Sequence, residues 1–439
     1  MKQSSTIFAL SSGAVPSGVA IVRVSGPMSG QAARLFCGDV PPPRALALRT
    51  FRGEGGEVLD RGLVAFFPAP HSFTGEDCAE FHLHGSRAVV AAVLERLGSI
   101  PDCRQAEAGE FTKRAFINGK LDLTAAEGLG DLILAETEAQ RRLAQANAEG
   151  GQHRLYEEWR ARLLQARAMV EAELDFSDEG DVPGSVAKSV WTDMERLRRE
   201  MTQHLSRFKS GEIVREGFKV AIIGAPNAGK SSLLNCLAGR DVAIVSDEPG
   251  TTRDVLEIAL GLGGLKVVFY DTAGLREAVG RVEADGIARA RRAAERSDLV
   301  LLLEDLAAPL PVTTIPAKPM IYVGTKADLT GADGMAGRYD MIISAVDGTG
   351  IDRLLAEIGR RAQEQASAAS EGVLPTRQRH VELICQAIEG LDEALDGWRA
   401  LELRAEGLRV AGDEIGRLSG AVGAEEVLGA IFSAFCIGK

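Results

Sequence analysis

The residues with the clearest chemical consequence are Gly224-Ala225-Pro226-Asn227-Ala228-Gly229-Lys230-Ser231, which fit GxxxxGK[ST] and directly follow the apolar run Lys219–Ile223. Glycines at these places let backbone N–H groups wrap phosphate oxygens, and a helix starting at the lysine turns its positive end toward them. Lys230 is placed to neutralise β/γ-phosphate charge and Ser231 to bind Mg²⁺, with Ala228, Gly229 and Ser232 in the same cradle. Downstream, Gly250-Thr251-Thr252-Arg253-Asp254 offers Thr252 as a second Mg²⁺ ligand once a γ-phosphate orders its loop. Asp271-Thr272-Ala273-Gly274 closes the run Lys266–Tyr270, so Asp271 can hold the metal through water and the Gly274 N–H can sense the γ-phosphate. Each motif alone is weak; their order along the chain is what points to a hydrolysed nucleotide.

Thr325-Lys326-Ala327-Asp328 resembles the NKxD element that reads guanine, with Asp328 accepting both guanine N–H bonds and Ser344-Ala345 as the supporting loop. Hydrogen bonds to a charged acceptor contribute ~1.5–3 kcal/mol, so Asp328 would favour guanine over adenine roughly 10- to 150-fold. GTP is therefore expected rather than ATP. Thr325 stands where the pattern has Asn, and losing one neutral bond of ~0.5–1.5 kcal/mol predicts weak, fast-exchanging nucleotide without a change of base. Ras-like enzymes orient the attacking water with a glutamine just after DxxG, but Leu275 occupies that place here. Glu283 is an acidic alternative, although spacing alone more often describes a solvated carboxylate at a helix start.

These motifs need a sheet to position them. Between Phe218 and about Gly359 the apolar runs Lys219–Ile223, Lys266–Tyr270, Leu299–Leu303, Met320–Gly324 and Met341–Ser344 alternate with helical segments, the grammar of a parallel sheet covered by helices. On one side, Leu155, Trp159, Leu163, Val170 and Leu174 recur at helical spacing, and the acidic stretch Asp175 to Gly184 precedes another helix through Arg207. On the other, after the polar stretch Arg361 to Gly372, periodicity resumes at Leu383, Ile384, Ile388, Leu391 and Leu395. Unpaired amphipathic helices on both sides predict one discontinuous helical domain with the nucleotide domain inserted. Ahead of it, strands at Gly18–Val24, Leu63–Phe67 and Ala79–His84 with a helix at Ala88–Leu97 predict a small α+β domain. The expected boundaries are 1–120, 121–213, 214–372 and 373–439.

Composition narrows the alternatives. With 439 residues, 45% apolar and 26% charged, the chain suits two or three ordinary domains. A net charge of −12 disfavours nonspecific coating of nucleic acid, which needs clustered Lys and Arg, though a local basic cleft stays open. The six cysteines, Cys37, Cys78, Cys103, Cys236, Cys385 and Cys436, include no CxxC pair and are expected mostly reduced and buried. Neither a signal-peptide pattern nor a spanning apolar run is found, so a cytosolic protein is expected. His82 and His84 alternate along a strand as metal ligands sometimes do, but without a third ligand structural histidines are expected. Gly420-Ala421-Val422-Gly423 matches the GXXG of KH domains without the surrounding KH elements.

Further stretches carry a more specific likeness: Gly18-Val19-Ala20-Ile21-Val22-Arg23-Val24-Ser25-Gly26, Phe73-Thr74-Gly75-Glu76-Asp77, Ala115-Phe116-Ile117-Asn118-Gly119-Lys120-Leu121-Asp122-Leu123, and the terminal Phe435-Cys436-Ile437-Gly438-Lys439. With the nucleotide motifs, these resemble the MnmE (TrmE) family of tRNA modification GTPases over nearly the whole chain. The resemblance implies a multidomain α/β and α+β protein: an N-terminal folate-binding and dimerisation domain, a discontinuous helical domain and an inserted Ras-like P-loop G domain. It implies K⁺-stimulated hydrolysis driven by G-domain dimerisation, the cation held by Asn227 and the loop carrying Ser246, Glu248 and Thr251. Asn227 would otherwise be a turn residue. An arginine finger is worth ~10³–10⁵ in rate, and potassium would stand in its place. Glu283 becomes the preferred water-orienting residue.

The resemblance further implies a reduced folate such as 5-formyltetrahydrofolate, with Arg23 and Lys120 on its carboxylates and Glu80 on pterin N–H groups; composition alone would leave all three as solvated charges. Cys436 would be catalytic and Lys439 its folate-site neighbour, where burial habits alone suggest a small apolar residue. A flavin-dependent partner, MnmG (GidA), would join in modifying C5 of the tRNA wobble uridine, and the chain would be a homodimer. Two alternatives keep some of these motifs: a ribosome-assembly GTPase acting as an RNA-binding switch, and a non-enzymatic folate-sensing scaffold.

Overall fold

A computed structural model describes residues 5–175, 185–240, 243–244, 257–271, 292, 294–309, 318–330, 337–370, 372–423, 425–433, 435 and 438. The chain forms two compact units, one of residues 1–130, 156–160 and 413–439, the other of 131–155 and 161–412.

The first unit holds β1 (Thr6–Leu10), β2 (Ser17–Ser25), β3 (Ala47–Arg52), β4 (Val58–Phe67), β5 (Cys78–Gly85) and β6 (Cys103–Gln105), in the order β3-β4-β5-β2-β1-β6. All neighbours are antiparallel except β1 and β6. Period-two alternation buries Ala79, Phe81 and Leu83 of β5 while Glu80 and His82 face the other side half-exposed. Helices Ser29–Cys37 and Arg87–Gly98 cover the buried face with Phe36, Val93 and Leu97, and the rings of Phe36 and Phe51 each lie 5.4 Å from that of Phe81.

The second unit contains β7 (Phe218–Gly224), β8 (Ala243–Ile244), β9 (Glu257–Leu262), β10 (Leu265–Asp271), β11 (Leu299–Asp305), β12 (Met320–Thr325) and β13 (Met341–Ile342), in the order β13-β12-β11-β7-β10-β9-β8. From β13 to β10 the pairing is parallel; β9 and β8 add an antiparallel edge. Leu299 to Leu303 is buried throughout because helices cover both faces of a parallel sheet, which is why it reads as an unbroken apolar run. The insertion is visible in the helices: Ser185–Ser206, ahead of the sheet, packs on Gln378–Leu395, after it, each presenting a buried stripe that includes Met194, Leu197 and Met201 or Ile384, Ala387 and Leu391. The chain enters β7 from helix Phe208–Glu216, whose end is tied back by Gln140 Nε2 donating to the Arg215 carbonyl at 3.0 Å.

Two expectations need correction. The polar stretch starting at Arg361 opens as helix rather than as a break: helix Ile351–Ala366 continues into it and a 3-10 turn, Ser367–Ser370, follows, with Glu357 accepting from Arg360 and Arg361 on the helix's solvent side. Of the five described cysteines only Cys78 is buried; Cys37 and Cys103, at the end of a helix and the start of a strand, are half-buried, as is Cys236, and Cys385 is exposed in the middle of helix Gln378–Leu395. Burial nonetheless pushes the Cys37 thiol up to about 12, so it stays protonated. No described helix is long and apolar enough to cross a membrane.

Candidate nucleotide and N-terminal sites

β7 ends at Gly224 and the helix Lys230–Ala238 begins after five intervening residues, so the loop between them must turn sharply. It does so through left-handed backbone at Asn227 (φ 65°) and Gly229 (φ 89°). Gly224 is required by a close approach: a Cβ there would lie 2.5 Å from the Leu303 carbonyl oxygen of β11. Lys230 Nζ folds back over the loop and donates to the carbonyls of Gly224 and Ala225, both at 2.8 Å. Asn227, Ser231 and Ser232 are exposed, at the helix end whose first N–H groups have no intrahelical acceptor.

Across β11, β12 brings in the segment expected to read the base. Thr325 is buried, and its hydroxyl donates to the Ala228 carbonyl at 2.9 Å, with the Glu304 carbonyl at 3.2 Å. The residue that departs from NKxD therefore still ties the phosphate loop to β12. Lys326, in left-handed backbone (φ 62°), donates to Asp305 Oδ2 at 2.6 Å, and that hydrogen bond holds the Asp305 carboxyl below its usual range. Asp328 is exposed and accepts from Ser344 Oγ at 2.7 Å. Ser344 is fully buried, and its hydroxyl oxygen also receives the N–H of Val346 at 3.2 Å, so it is set rigidly between loop and carboxylate; Ala345 follows half-buried. Asn227 to Ser232, Thr325, Lys326, Asp328, Ser344 and Ala345 thus gather at the carboxyl ends of β7 and β12, where open parallel sheets place their ligands. Ser246, Glu248, Thr251, Thr252, Thr272, Ala273, Gly274 and Glu283 lie outside the described residues, as do Cys436 and Lys439; Asp271 ends β10, and its side chain is likewise outside. Asp305 is a neighbour that residue-type reasoning missed, though a charged pair closing an apolar run was a usable signal.

In the first unit, the N-terminal candidates come together differently from their separate roles. Arg23 and Glu80 face each other across β2 and β5, with Nε to Oε1 at 3.0 Å and Nη2 to Oε1 at 2.9 Å. The guanidinium lies 5.2 Å from the Phe73 ring centroid and 5.8 Å from that of Phe111. His82 Nε2, 3.6 Å from Glu80 Oε2, and Arg23 hold the Glu80 carboxyl below its usual range against the opposing effect of burial. Glu80 is therefore not an exposed strand residue. Lys120 Nζ donates to the Pro70 carbonyl at 3.1 Å, beside Gly75, whose left-handed backbone (φ 78°) brings it against Asn118 and Lys120. The segments containing Ser25, Thr74, Glu76, Arg114 and Asn118 close one network: Asn118 Nδ2 to the Thr74 carbonyl at 2.7 Å, Thr74 to Ser25 at 2.7 Å, Ser25 to Glu76 at 2.8 Å, and Arg114 to Glu76 at 2.9 Å. Arg114 is 1% exposed, yet its Nε has no partner among the described residues.

The remaining motif candidates have local explanations. His84 Nδ1 lies 2.8 Å from Asp60 Oδ1, and among the described residues no three His, Cys, Asp or Glu side chains cluster to hold a metal. Gly420 and Gly423, both at positive φ, belong to the turn that ends helix Leu401–Ser419, where the Ala421 N–H caps the Gly416 carbonyl at 2.9 Å.

Comparison with known proteins adds the family. The profile of the GTP-binding protein TrmE N-terminus matches residues 6–120, and that of the MnmE helical domain matches residues 123–436. The tRNA modification GTPase MnmE of Mesorhizobium japonicum is 56% identical over 444 residues, covering 100% of both chains. Those of Chelativorans sp. and Brucella canis are each 55% identical and cover 99% of this chain and 98% of their own. Among solved structures, the G domain of the T. maritima FeoB iron transporter aligns over 33% of this chain at 28% identity with a TM-score of 0.24, so the fold assignment rests on the strand order instead. On the full-length identity and the two profile matches, the chain belongs to the MnmE (TrmE) family of tRNA modification GTPases.

Proposed function

We propose that this chain hydrolyses GTP and, with a flavin-dependent partner and a reduced folate, modifies C5 of the tRNA wobble uridine. The observation that carries the nucleotide half is the Thr325 hydroxyl at 2.9 Å from the Ala228 carbonyl, which links a phosphate loop to the strand leading into Asp328. The loop is suited to phosphate because Lys230 now rests on two carbonyls, contacts that a β/γ-phosphate would replace with full charge neutralisation. Ser231, exposed at the helix start, would hold Mg²⁺ together with Thr252, and Asp271 would act through water. The metal supplies charge neutralisation on the phosphates; Asp328 and Ser344 select and hold the base. Asn227 presents an exposed amide on left-handed backbone, which suits a potassium ligand, and Glu283 would orient the attacking water.

The folate half is supported by the buried Arg114 Nε, which has no partner among the described residues, and by the Arg23–Glu80 pair backed by Phe73 and Phe111, a combination of polar anchors and apolar walls that suits a pterin. Arg23, Glu80, Lys120 and Lys439 are the proposed binding residues, 5-formyltetrahydrofolate or a related form the ligand, and Cys436 a participant in the chemistry. A homodimer through the N-terminal units, with GTP-dependent contact of the G domains, and a cytoplasmic site of action complete the reading. GTP turnover in KCl and NaCl at equal ionic strength tests it: stimulation by potassium that disappears in Asn227→Ala supports the cation mechanism, and equal rates in both salts remove it. Nucleoside analysis of tRNA after incubation with partner, folate and GTP tests the modification itself.

A further inference from the structure

Glu304 is a carboxylate that, with Asp305, closes an apolar run on β11, and it is only 4% exposed. Its Oε2 accepts three hydrogen bonds, from Tyr322 Oη at 2.6 Å, Tyr339 Oη at 2.6 Å and Arg338 Nη2 at 2.9 Å. The two rings pack with centroids 4.9 Å apart, and the Arg338 guanidinium lies 5.3 Å from the Tyr339 ring. Burial pushes the carboxyl up, but the two hydroxyls and Arg338 more than reverse it; burial and the carboxylate together push the Tyr339 phenol up to about 12. Near neutral pH this is a charged acceptor held by two neutral phenols and a cation. A buried charge of this kind is tolerated only with its lone pairs filled, and it is a poor source of net stability.

What the cluster does follow from where its members stand. Glu304 lies on β11, Tyr322 on β12, and Arg338 and Tyr339 just before β13. β12 runs directly into Thr325 and Asp328, and β13 leads directly to Ser344, which holds Asp328. The backbone joins the same parts: the Ile343 N–H donates to the Gly324 carbonyl at 2.8 Å and the Ala327 N–H to the Ile343 carbonyl at 3.2 Å. There is no slack between them, since a Cβ on Gly324 would lie 2.6 Å from Leu306 Cδ2 and 3.3 Å from Tyr339 Cδ2. The segments that carry Asp328 and Ser344 therefore follow directly on β12 and β13, and one carboxylate fastens β12 to the residues leading into β13 from behind.

We propose that Glu304 is a positioning residue for guanine recognition: its carboxylate clamps β12 to the segment before β13 and so fixes the Asp328–Ser344 pair. The inference rests on the reading of Asp328 as the guanine acceptor. Glu304 touches no nucleotide; it acts through the two strands. All three donors converge on one oxygen, so a glutamine can still set its carbonyl oxygen there, but it is a neutral acceptor that gives up the charge-assisted bonds, and the clamp loosens although the shape is kept.

The test is the affinity of the full-length wild type, Tyr339→Phe and Glu304→Gln for GDP and for IDP, which lacks the 2-amino group and so one of the two bonds to Asp328. Wild type should prefer GDP by about tenfold or more. Tyr339→Phe should lose about threefold and Glu304→Gln about tenfold in GDP affinity with smaller losses for IDP, shrinking the preference, while kcat at saturating GTP stays within about twofold. Equal losses for GDP and IDP mark a merely structural role and overturn the clamp, as does an unchanged preference in both variants. If Glu304→Gln does not fold, Tyr339→Phe, which removes a single hydroxyl, decides alone. A wild type with no preference overturns the reading of Asp328 and the clamp with it.

Discussion

Replacing Thr325 with valine removes one hydroxyl and changes almost nothing else in shape. Thr325 Oγ1 has a single proton and two carbonyls in range, Ala228 at 2.9 Å and Glu304 at 3.2 Å, so the shorter contact to the phosphate loop is the bond at stake. Ala228 is 1% exposed, and a buried acceptor left without a donor costs about 1–3 kcal/mol. That is roughly 5- to 150-fold in an equilibrium constant. If the bond serves to hold the loop in its phosphate-binding form, the loss falls on nucleotide affinity. Fluorescent-GDP binding should then show weaker affinity of Thr325→Val, expressed mainly as faster release, with kcat at saturating GTP changed far less. Thr325→Asn, whose amide NH₂ can donate to the Ala228 carbonyl in the hydroxyl's place and has a further N–H and an oxygen to use, should shift the other way, tightening binding by about 2- to 13-fold, the worth of one added neutral bond of ~0.5–1.5 kcal/mol. The reasoning is refuted if Thr325→Val leaves both GDP release and thermal unfolding unchanged, because the hydroxyl would then be holding nothing.

Two other perturbations have signs fixed by burial. His204 is 6% exposed between helices, and burial, with smaller contributions from His380 and Arg207, lowers its pKa to about 3. The folded state thus resists a proton that the unfolded chain takes up below its ordinary 6.5, so this contribution is present above pH 6.5 and is lost as pH falls toward 3. Going from pH 7.5 to 5.0 should cost the helical part about 2 kcal/mol, read by urea unfolding, and His204→Gln should flatten that dependence; an equally steep loss in the variant contradicts it. In the N-terminal unit, Arg23→Ala leaves Glu80 without its guanidinium, so affinity for 5-formyltetrahydrofolate by equilibrium dialysis should fall about tenfold or more, and an undiminished affinity removes Arg23 from that site.

Much of the architecture could be read from the residues because local pattern and burial coincide. The runs at Lys219–Ile223, Lys266–Tyr270 and Leu299–Leu303 fall inside β7, β10 and β11 because strands covered on both faces are apolar without interruption. β3 and β6 were missed because half-exposed or short strands carry no such run, and β9 because Glu257 and Gly261 interrupt it. Side-chain pairing was less legible. Arg23 and Glu80 were assigned to different parts of a ligand, whereas the β2–β5 register sets them against each other. Glu304 carries no sequence signal of its contacts, since its three donors reach it only through the order of β11, β12 and β13. Residue type suggests which groups suit phosphate and base; sheet register shows which charged groups face one another.

The central claim is that Asp328 reads guanine for a hydrolytic cycle. Steady-state phosphate release from GTP and XTP by wild type and Asp328→Asn tests it most directly, because asparagine turns an N–H donor toward the position where xanthine carries an oxygen in place of the guanine amine. The account predicts that wild type hydrolyses GTP in strong preference to XTP and that Asp328→Asn reverses the order. Equal hydrolysis of both nucleotides by both proteins would contradict it.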